Sequence, residues 1–165
     1  MTINIGINGL GRIGRSVARA IVEEGYDDIA LVAVNGSASN ANHAHLLQYD
    51  SVHGRFQNKI TFDDNGIDMG KGHIKVTQER DPAKINWAAL GVDIVLECTG
   101  AFNSKAAASV HLQSGAKRVL ISAPAGDDCP TFVYGVNCAK LTAGHTVFSV
   151  GSCTTNALAP LAKVL

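Results

Sequence analysis

A chain of 165 residues, 46% hydrophobic and 17% charged, is long enough to bury roughly 70% of its unfolded surface in one packed domain. Its 14 basic residues are matched by 14 acidic ones, so no net field draws it to nucleic acid or to an anionic membrane. The apolar runs are only of strand length, the N-terminus does not read as a signal peptide, and Cys98, Cys129, Cys138 and Cys153 lack CxxC spacing, so the cytoplasm is expected and a membrane span, a disulfide framework and a zinc site are not.

Residues 3–7 read as a short strand, followed by a glycine-rich turn and a helix over 12–24 with Ile13, Val17, Ala20 and Ile21 on one face and Gly25 closing it. The run 29–34 is apolar throughout, as a strand covered on both faces of a parallel sheet must be. Strand, helix and strand make one βαβ unit. A short helix is expected over 40–49, then strand-like pieces at 55–62 and 74–77 between glycine-containing turns, which form an antiparallel excursion. The α/β rhythm resumes with a strand at 93–97, a helix over 104–114 closed by Gly115, and a strand at 118–122. Further strands are expected at 135–137 and 145–150, and a helix over 154–165 in which Pro160 forces a kink or a late start. That helix carries Leu158, Leu161, Val164 and Leu165, which need a surface to pack on. The expected fold is a Rossmann-type, doubly wound, mostly parallel α/β sheet with an antiparallel excursion.

Residues 8–14 (NGLGRIG) supply a GxGxxG pattern directly after a strand and at the opening of a helix. Gly9 permits the tight turn, Gly11 lets a pyrophosphate approach the backbone, and Gly14 allows close helix–strand packing, while the helix N-terminus offers free N–H groups to the phosphates. The end of the second strand, where a carboxylate would accept from the ribose 2′-hydroxyl of NAD, holds Asn35, Gly36, Ser37, Ala38 and Ser39 instead. Without the carboxylate nothing repels the 2′-phosphate of NADP, and Ser37 and Ser39 can donate to it, so NAD or NADP is the expected cofactor. Further along, Cys153 stands at a helix start with Ser152 as N-cap. Such a position favours the thiolate, the nucleophilic form, and the backbone N–H groups of the turn can hold an oxyanion. His43 and His45 are two apart, which on a helix points them away from each other, and no metal site is read there or elsewhere.

Segments 7–15 (INGLGRIGR), 49–54 (YDSVHG), 79–82 (ERDP), 97–102 (ECTGAF), 121–124 (ISAP), 135–137 (GVN) and 152–156 (SCTTN) together resemble the N-terminal half of the glyceraldehyde-3-phosphate dehydrogenase family, in the family's order along the whole chain. The resemblance implies that Asn8, Gly9, Gly11, Arg12 and Ile13 cradle the pyrophosphate, while Gly14 of the glycine loop and Gly36 and Ser37 after the second strand join the cofactor-binding residues by their positions. It implies further that Arg80 lies near the adenine and that Thr99, Gly100, Phe102 and Ser122 line the ribose and nicotinamide side. Cys153 becomes the nucleophile, adding to an aldehyde, passing hydride to the nicotinamide and leaving a thioester that inorganic phosphate cleaves, with Ser152 and Thr154 helping to bind that phosphate. Residues 1–150 are then the NAD(P)-binding domain and 151–165 the start of a catalytic domain whose remainder lies outside this chain.

This sequence departs from the pattern in having Gly36 where many members carry an acid, Ala157 where a second cysteine is frequent, and Cys98 where serine is commoner. None of its six histidines matches the family's general base, so the fragment by itself is expected to be nearly inactive. The function implied for the complete protein is oxidation of glyceraldehyde 3-phosphate to 1,3-bisphosphoglycerate, as a homotetramer in glycolysis or gluconeogenesis. An erythrose-4-phosphate dehydrogenase, an amino-acid semialdehyde enzyme and a non-catalytic dinucleotide-binding module are the alternatives.

Overall fold

In the computed structural model, which describes residues 2–165, the chain runs β1 (Ile3–Asn8), α1 (Arg12–Glu24), β2 (Ile29–Asn35), α2 (Asn40–Gln48) and a small hairpin of β3 (Tyr49–Asp50) and β4 (Gly54–Arg55). It continues through β5 (Thr61–Phe62), β6 (Gly66–Asp68), β7 (His73–Thr77), β8 (Ile94–Glu97), α3 (Lys105–Ala108), α4 (Val110–Gln113), β9 (Arg118–Ile121), β10 (Val147–Ser149) and α5 (Cys153–Val164). The main sheet has the order β10-β9-β8-β1-β2-β7-β6-β5. Pairings from β10 through to β7 are parallel, and β6 and β5 add an antiparallel edge. Six parallel strands ordered outward from β1 in both directions are the doubly wound Rossmann arrangement, with its switch point between β1 and β8.

Apolar burial on both faces holds this sheet. Ile5, Ile7, Val34, Leu47, Phe56 and Ile67 pack with Ala18 and Val22 of α1 on one side, and Ala33, Trp87, Val92 and Val95 form a second cluster. Each fully buried aliphatic or phenyl side chain contributes roughly 1.5–3 kcal/mol. The register of β1 on β2 jumps from Ile5↔Leu31 to Gly6↔Ala33, so Val32 is an inserted residue that lets the middle of β2 feed the second cluster. Gly6 is required beside it, because a Cβ there would stand 2.8 Å from the Trp87 ring. Gly25 ends α1 in the left-handed conformation, at φ 69°.

Four expectations change. The strand expected at 55–62 is interrupted because the Gln48 side chain donates to the carbonyls of Phe56 and Asn58 and accepts from the N–H of Ile60, taking the place of a ladder partner. The piece at 74–77 belongs to β7, the third parallel strand, with its antiparallel partner β6 beyond it. The helix expected over 104–114 is divided at Ser109, whose hydroxyl donates back to the Lys105 carbonyl, a bond that bends helices. Residues 135–137 form a turn rather than a strand: Gly135 has φ 73°, and the Asn137 side chain accepts from the Val133 N–H and donates to the Thr131 carbonyl.

At the C-terminal end, α5 begins at Cys153 and runs unbroken through Pro160, whose ring nitrogen leaves the Asn156 carbonyl without its helical partner. No α5 side chain is buried, and Leu158, Leu161 and Val164 stand out in solvent. Among the described residues no helix is long and apolar enough to cross a membrane.

Candidate functional site

The carboxyl ends of β1, β2 and β8 frame a cleft of about 510 Å³ at the switch point. The glycine turn forms its floor. Gly9 has φ 97° and donates its N–H to the Asn35 carbonyl, and a Cβ on it would lie 2.7 Å from the Thr99 nitrogen. A Cβ on Gly14 would come within 2.0 Å of the Gly9 carbonyl oxygen, so α1 reaches the turn only because residue 14 has no side chain. A Cβ on Gly11, by contrast, would meet no protein atom within 4 Å. Packing against the described residues therefore does not require glycine at position 11.

Helix capping bears on the same position. Ser39, Ser104 and Ser152 each cap their helix by accepting a backbone N–H, whereas α1 starts at Gly11 with no side-chain cap. Its first N–H groups and positive dipole end are left for an anion. These features fit the pyrophosphate of a dinucleotide. We expect Gly14→Ala to displace the turn and weaken nucleotide binding at least ten-fold, measured by calorimetric titration, while Gly11→Ala leaves the melting temperature within about 3 °C because the added methyl meets only solvent.

Of the residues singled out in the sequence, Asn8, Gly9, Gly11, Gly36, Ser37, Arg80, Thr99 and Phe102 line the cleft. Arg12, Ile13, Gly14, Gly100 and Ser122 do not. The Arg12 guanidinium turns outward to the Asp50 carboxylate at 2.8 Å and to the Ser51 hydroxyl. Asp50 is held at about 2 by the backbone N–H groups of His53 and Val52, with Arg12 adding to them. Ile13 is half exposed, Gly14 lies beneath the turn, Gly100 accepts from Asn103 in a separate turn, and Ser122 donates its N–H to the Glu97 carbonyl. Arg15, one helical turn on from Arg12, lines the cleft instead, with one guanidinium nitrogen donating to the Leu10 carbonyl. Ser39 is occupied as the cap of α2.

Beneath the floor runs a polar chain that the sequence did not reveal. The Thr77 hydroxyl on β7 donates to the Asn35 amide oxygen on β2, and Asn35 donates in turn to the Asn8 amide oxygen on β1 at 2.8 Å. Asn8 donates to the Glu97 carboxylate on β8 at 2.6 Å, which also accepts from His111 Nε2 at 2.9 Å and from the N–H and hydroxyl of Thr99. The Trp87 indole N–H donates to His111 Nδ1, and since an indole can only donate, the bonding pattern puts the imidazole proton on Nε2. Asn8, Asn35, Glu97 and His111 are all buried. The Asn8 side chain is thus committed to the network, although the residue lines the cleft.

Two thiols illustrate opposite environments. Cys98 is largely enclosed, and burial pushes it up to about 11 against a bond from Ser122, with neighbouring Glu97 adding to the rise. Cys153 is exposed at the first position of α5, beside the capping hydroxyl of Ser152, which lies 2.8 Å from the Thr155 hydroxyl, and next to exposed Thr154. Cys129 is buried and also pushed up, first by desolvation. His43 was considered in the sequence only as half of a metal pair. It lines the cleft, is buried, and among the described residues has no hydrogen-bond partner for either ring nitrogen. Nothing in its short, polar helix marks it out before the fold is seen.

Comparison with known proteins gives these features a family. Residues 3–105 match the model of the glyceraldehyde 3-phosphate dehydrogenase NAD binding domain. The whole chain is 58% identical to 49% of the glyceraldehyde-3-phosphate dehydrogenase of Cereibacter sphaeroides and 54% identical to 49% of that of Xanthobacter flavus. Over 166 residues it is 52% identical to the Streptomyces coelicolor enzyme. The chain spans about half the length of the curated relatives it matches.

Proposed function

This chain belongs to the glyceraldehyde-3-phosphate dehydrogenase family and carries its NAD-binding domain, and from that premise we propose that the whole protein oxidises glyceraldehyde 3-phosphate with NAD or NADP and inorganic phosphate to an acyl phosphate. Residues 1–150 then form the NAD(P)-binding domain and 151–165 open the catalytic one, in a cytoplasmic homotetramer of glycolysis or gluconeogenesis. The observation that carries this reading is the presence in one chain of a dinucleotide cleft with an uncapped helix start and of an exposed cysteine at a second, serine-capped helix start.

In this reading the N–H groups opening α1 hold the pyrophosphate, with Gly9 and Gly11 bringing the backbone close to it. Thr99 and Phe102 form the wall beside the nicotinamide ribose. When bound, the nicotinamide supplies the hydride acceptor. Cys153 forms a bond from sulfur to the aldehyde carbon and retains the oxidised acyl group as a thioester, which phosphate then attacks to release the thiol. Free N–H groups at the start of α5 stabilise the negative oxygen of the adduct, and Ser152 and Thr154 present hydroxyls to the attacking phosphate. The accessible Cys153 favours this enzyme over a purely nucleotide-binding module, which has no use for a nucleophile there.

Calorimetric titration of the chain with NAD and with NADP at matched salt is the direct test. Saturable binding with one site per chain is expected. Failure of both nucleotides to bind would remove the cofactor reading.

A further inference from the structure

The end of β2 holds an imidazole where the fold leaves room for a residue-36 side chain. A Cβ built on Gly36 would stand 2.6 Å from His43 Nε2 and 2.7 Å from His43 Cε1, and 3.2 Å from Leu10 Cβ. The imidazole comes from α2, seven residues further along the chain, and fills the space directly over the Gly36 backbone. Gly36 and His43 are therefore one unit, because no residue larger than glycine fits at 36 while the ring is in place.

His43 is 3% exposed, lines the nucleotide cleft together with Gly36 and Ser37, and among the described residues finds no hydrogen-bond partner for either ring nitrogen. Burial holds the imidazole below its ordinary pKa, the nearby Gly36 backbone opposing this and the Arg15 charge adding to it, so the neutral ring is favoured. An unpaired polar side chain this well buried is costly to leave unsatisfied, which points to a partner that arrives with the ligand. The remaining charges of the cleft lining are two guanidiniums, Arg15 and Arg80, against one carboxylate, Glu79.

Resting on the dinucleotide reading above, we propose that His43 is a specificity-determining residue that donates an imidazole N–H to the 2′-phosphate of NADP. In other Rossmann domains this place is held by a carboxylate that accepts from a 2′-hydroxyl and repels a phosphate. Here the acid is absent from the sequence, and its place is taken by an N–H donor, which a phosphate oxygen can accept from where a carboxylate would repel the phosphate. Ser37 lines the same cleft and supplies a further donor.

The test compares NAD and NADP affinities, by calorimetry, for the unmodified chain, for His43→Leu, and for the paired change Gly36→Asp with His43→Ala. His43→Leu should lower the NADP-to-NAD affinity ratio about ten-fold, the size of a lost hydrogen bond to a charged group. The paired change should lower it further, since removing the ring makes room for a carboxylate at 36. In the unmodified chain the His43 imidazole resonances should shift on addition of adenosine 2′,5′-bisphosphate and stay nearly fixed with AMP, a readout that holds even where a variant fails to fold. An affinity ratio unchanged in both variants, or imidazole shifts equal for the two adenosine nucleotides, overturns the role of His43. Absence of binding of either dinucleotide to the unmodified chain overturns the cofactor reading itself and the proposal with it.

Discussion

Cys153→Ala in the complete protein is expected to lower aldehyde oxidation by a factor on the order of 10⁴ or more, as removal of a covalent nucleophile does elsewhere. Binding of NAD or NADP to the present chain should stay within about two-fold, because Cys153 is outside the cleft lining. The same residue should dominate chemical labelling. With limiting iodoacetamide at neutral pH, Cys153 is exposed and reacts first, while Cys98, pushed up to about 11, and buried Cys129 remain as unreactive thiols. Peptide mass mapping reads the order directly. Preferential labelling of Cys98, or activity retained by Cys153→Ala, would contradict the assignment of the nucleophile.

Glu97→Gln is expected to destabilise the chain by about 3 kcal/mol, since it replaces a buried acceptor of charge-assisted bonds by a group half of which is a donor. Asn8, Thr99 and His111 all donate to that carboxylate, so the new amide NH₂ must face at least one other donor. For a chain of this length the melting temperature should fall by about 6–12 °C, and nucleotide affinity should fall with it, because Thr99 and Asn8 shape the cleft floor. The pH dependence separates charge from packing. Burial pushes the Glu97 carboxyl up, but the bonds from His111, Thr99 and Asn8 outweigh it and hold the group below its ordinary value. A depressed acid stabilises the fold above the unfolded value near about 4.3, and that contribution disappears as the pH falls through the folded value. Thermal melts of the unmodified chain should therefore drop steeply below about pH 4, with a shallower drop for Glu97→Gln. Parallel acid profiles for the two would show that Glu97 is not the group responsible.

Both predictions turn on residues whose importance was unequally visible in the sequence. Cys153 could be picked out because its neighbours are local: a cap, a helix start and a flanking SCTTN segment all lie within five residues. Glu97 and His111 are 14 residues apart, and Asn8 is 89 from Glu97, so their meeting depends on how strands β1 and β8 pair. The same division explains the fold. The Rossmann order follows from alternating strand and helix periods and from the right-handed connections that such units require. The broken strand at 55–62 does not, because it is the Gln48 side chain, remote in character from any strand signal, that satisfies its backbone.

The sequence by itself determined the parallel α/β class, the glycine turn with its helix, the family and a cysteine at a serine-capped helix start, since each is set by periodicity or by contiguous residues whose chemistry is local. Only the tertiary structure decided that Arg15 rather than Arg12 faces the cleft, that Asn8 serves a buried chain from Thr77 to Trp87, and that His43 occupies the place of a residue-36 side chain. The physical reason is that side-chain direction and burial depend on which elements pack together. A helix position one turn further on, or a ring seven residues away, is fixed by contacts that no window of sequence contains.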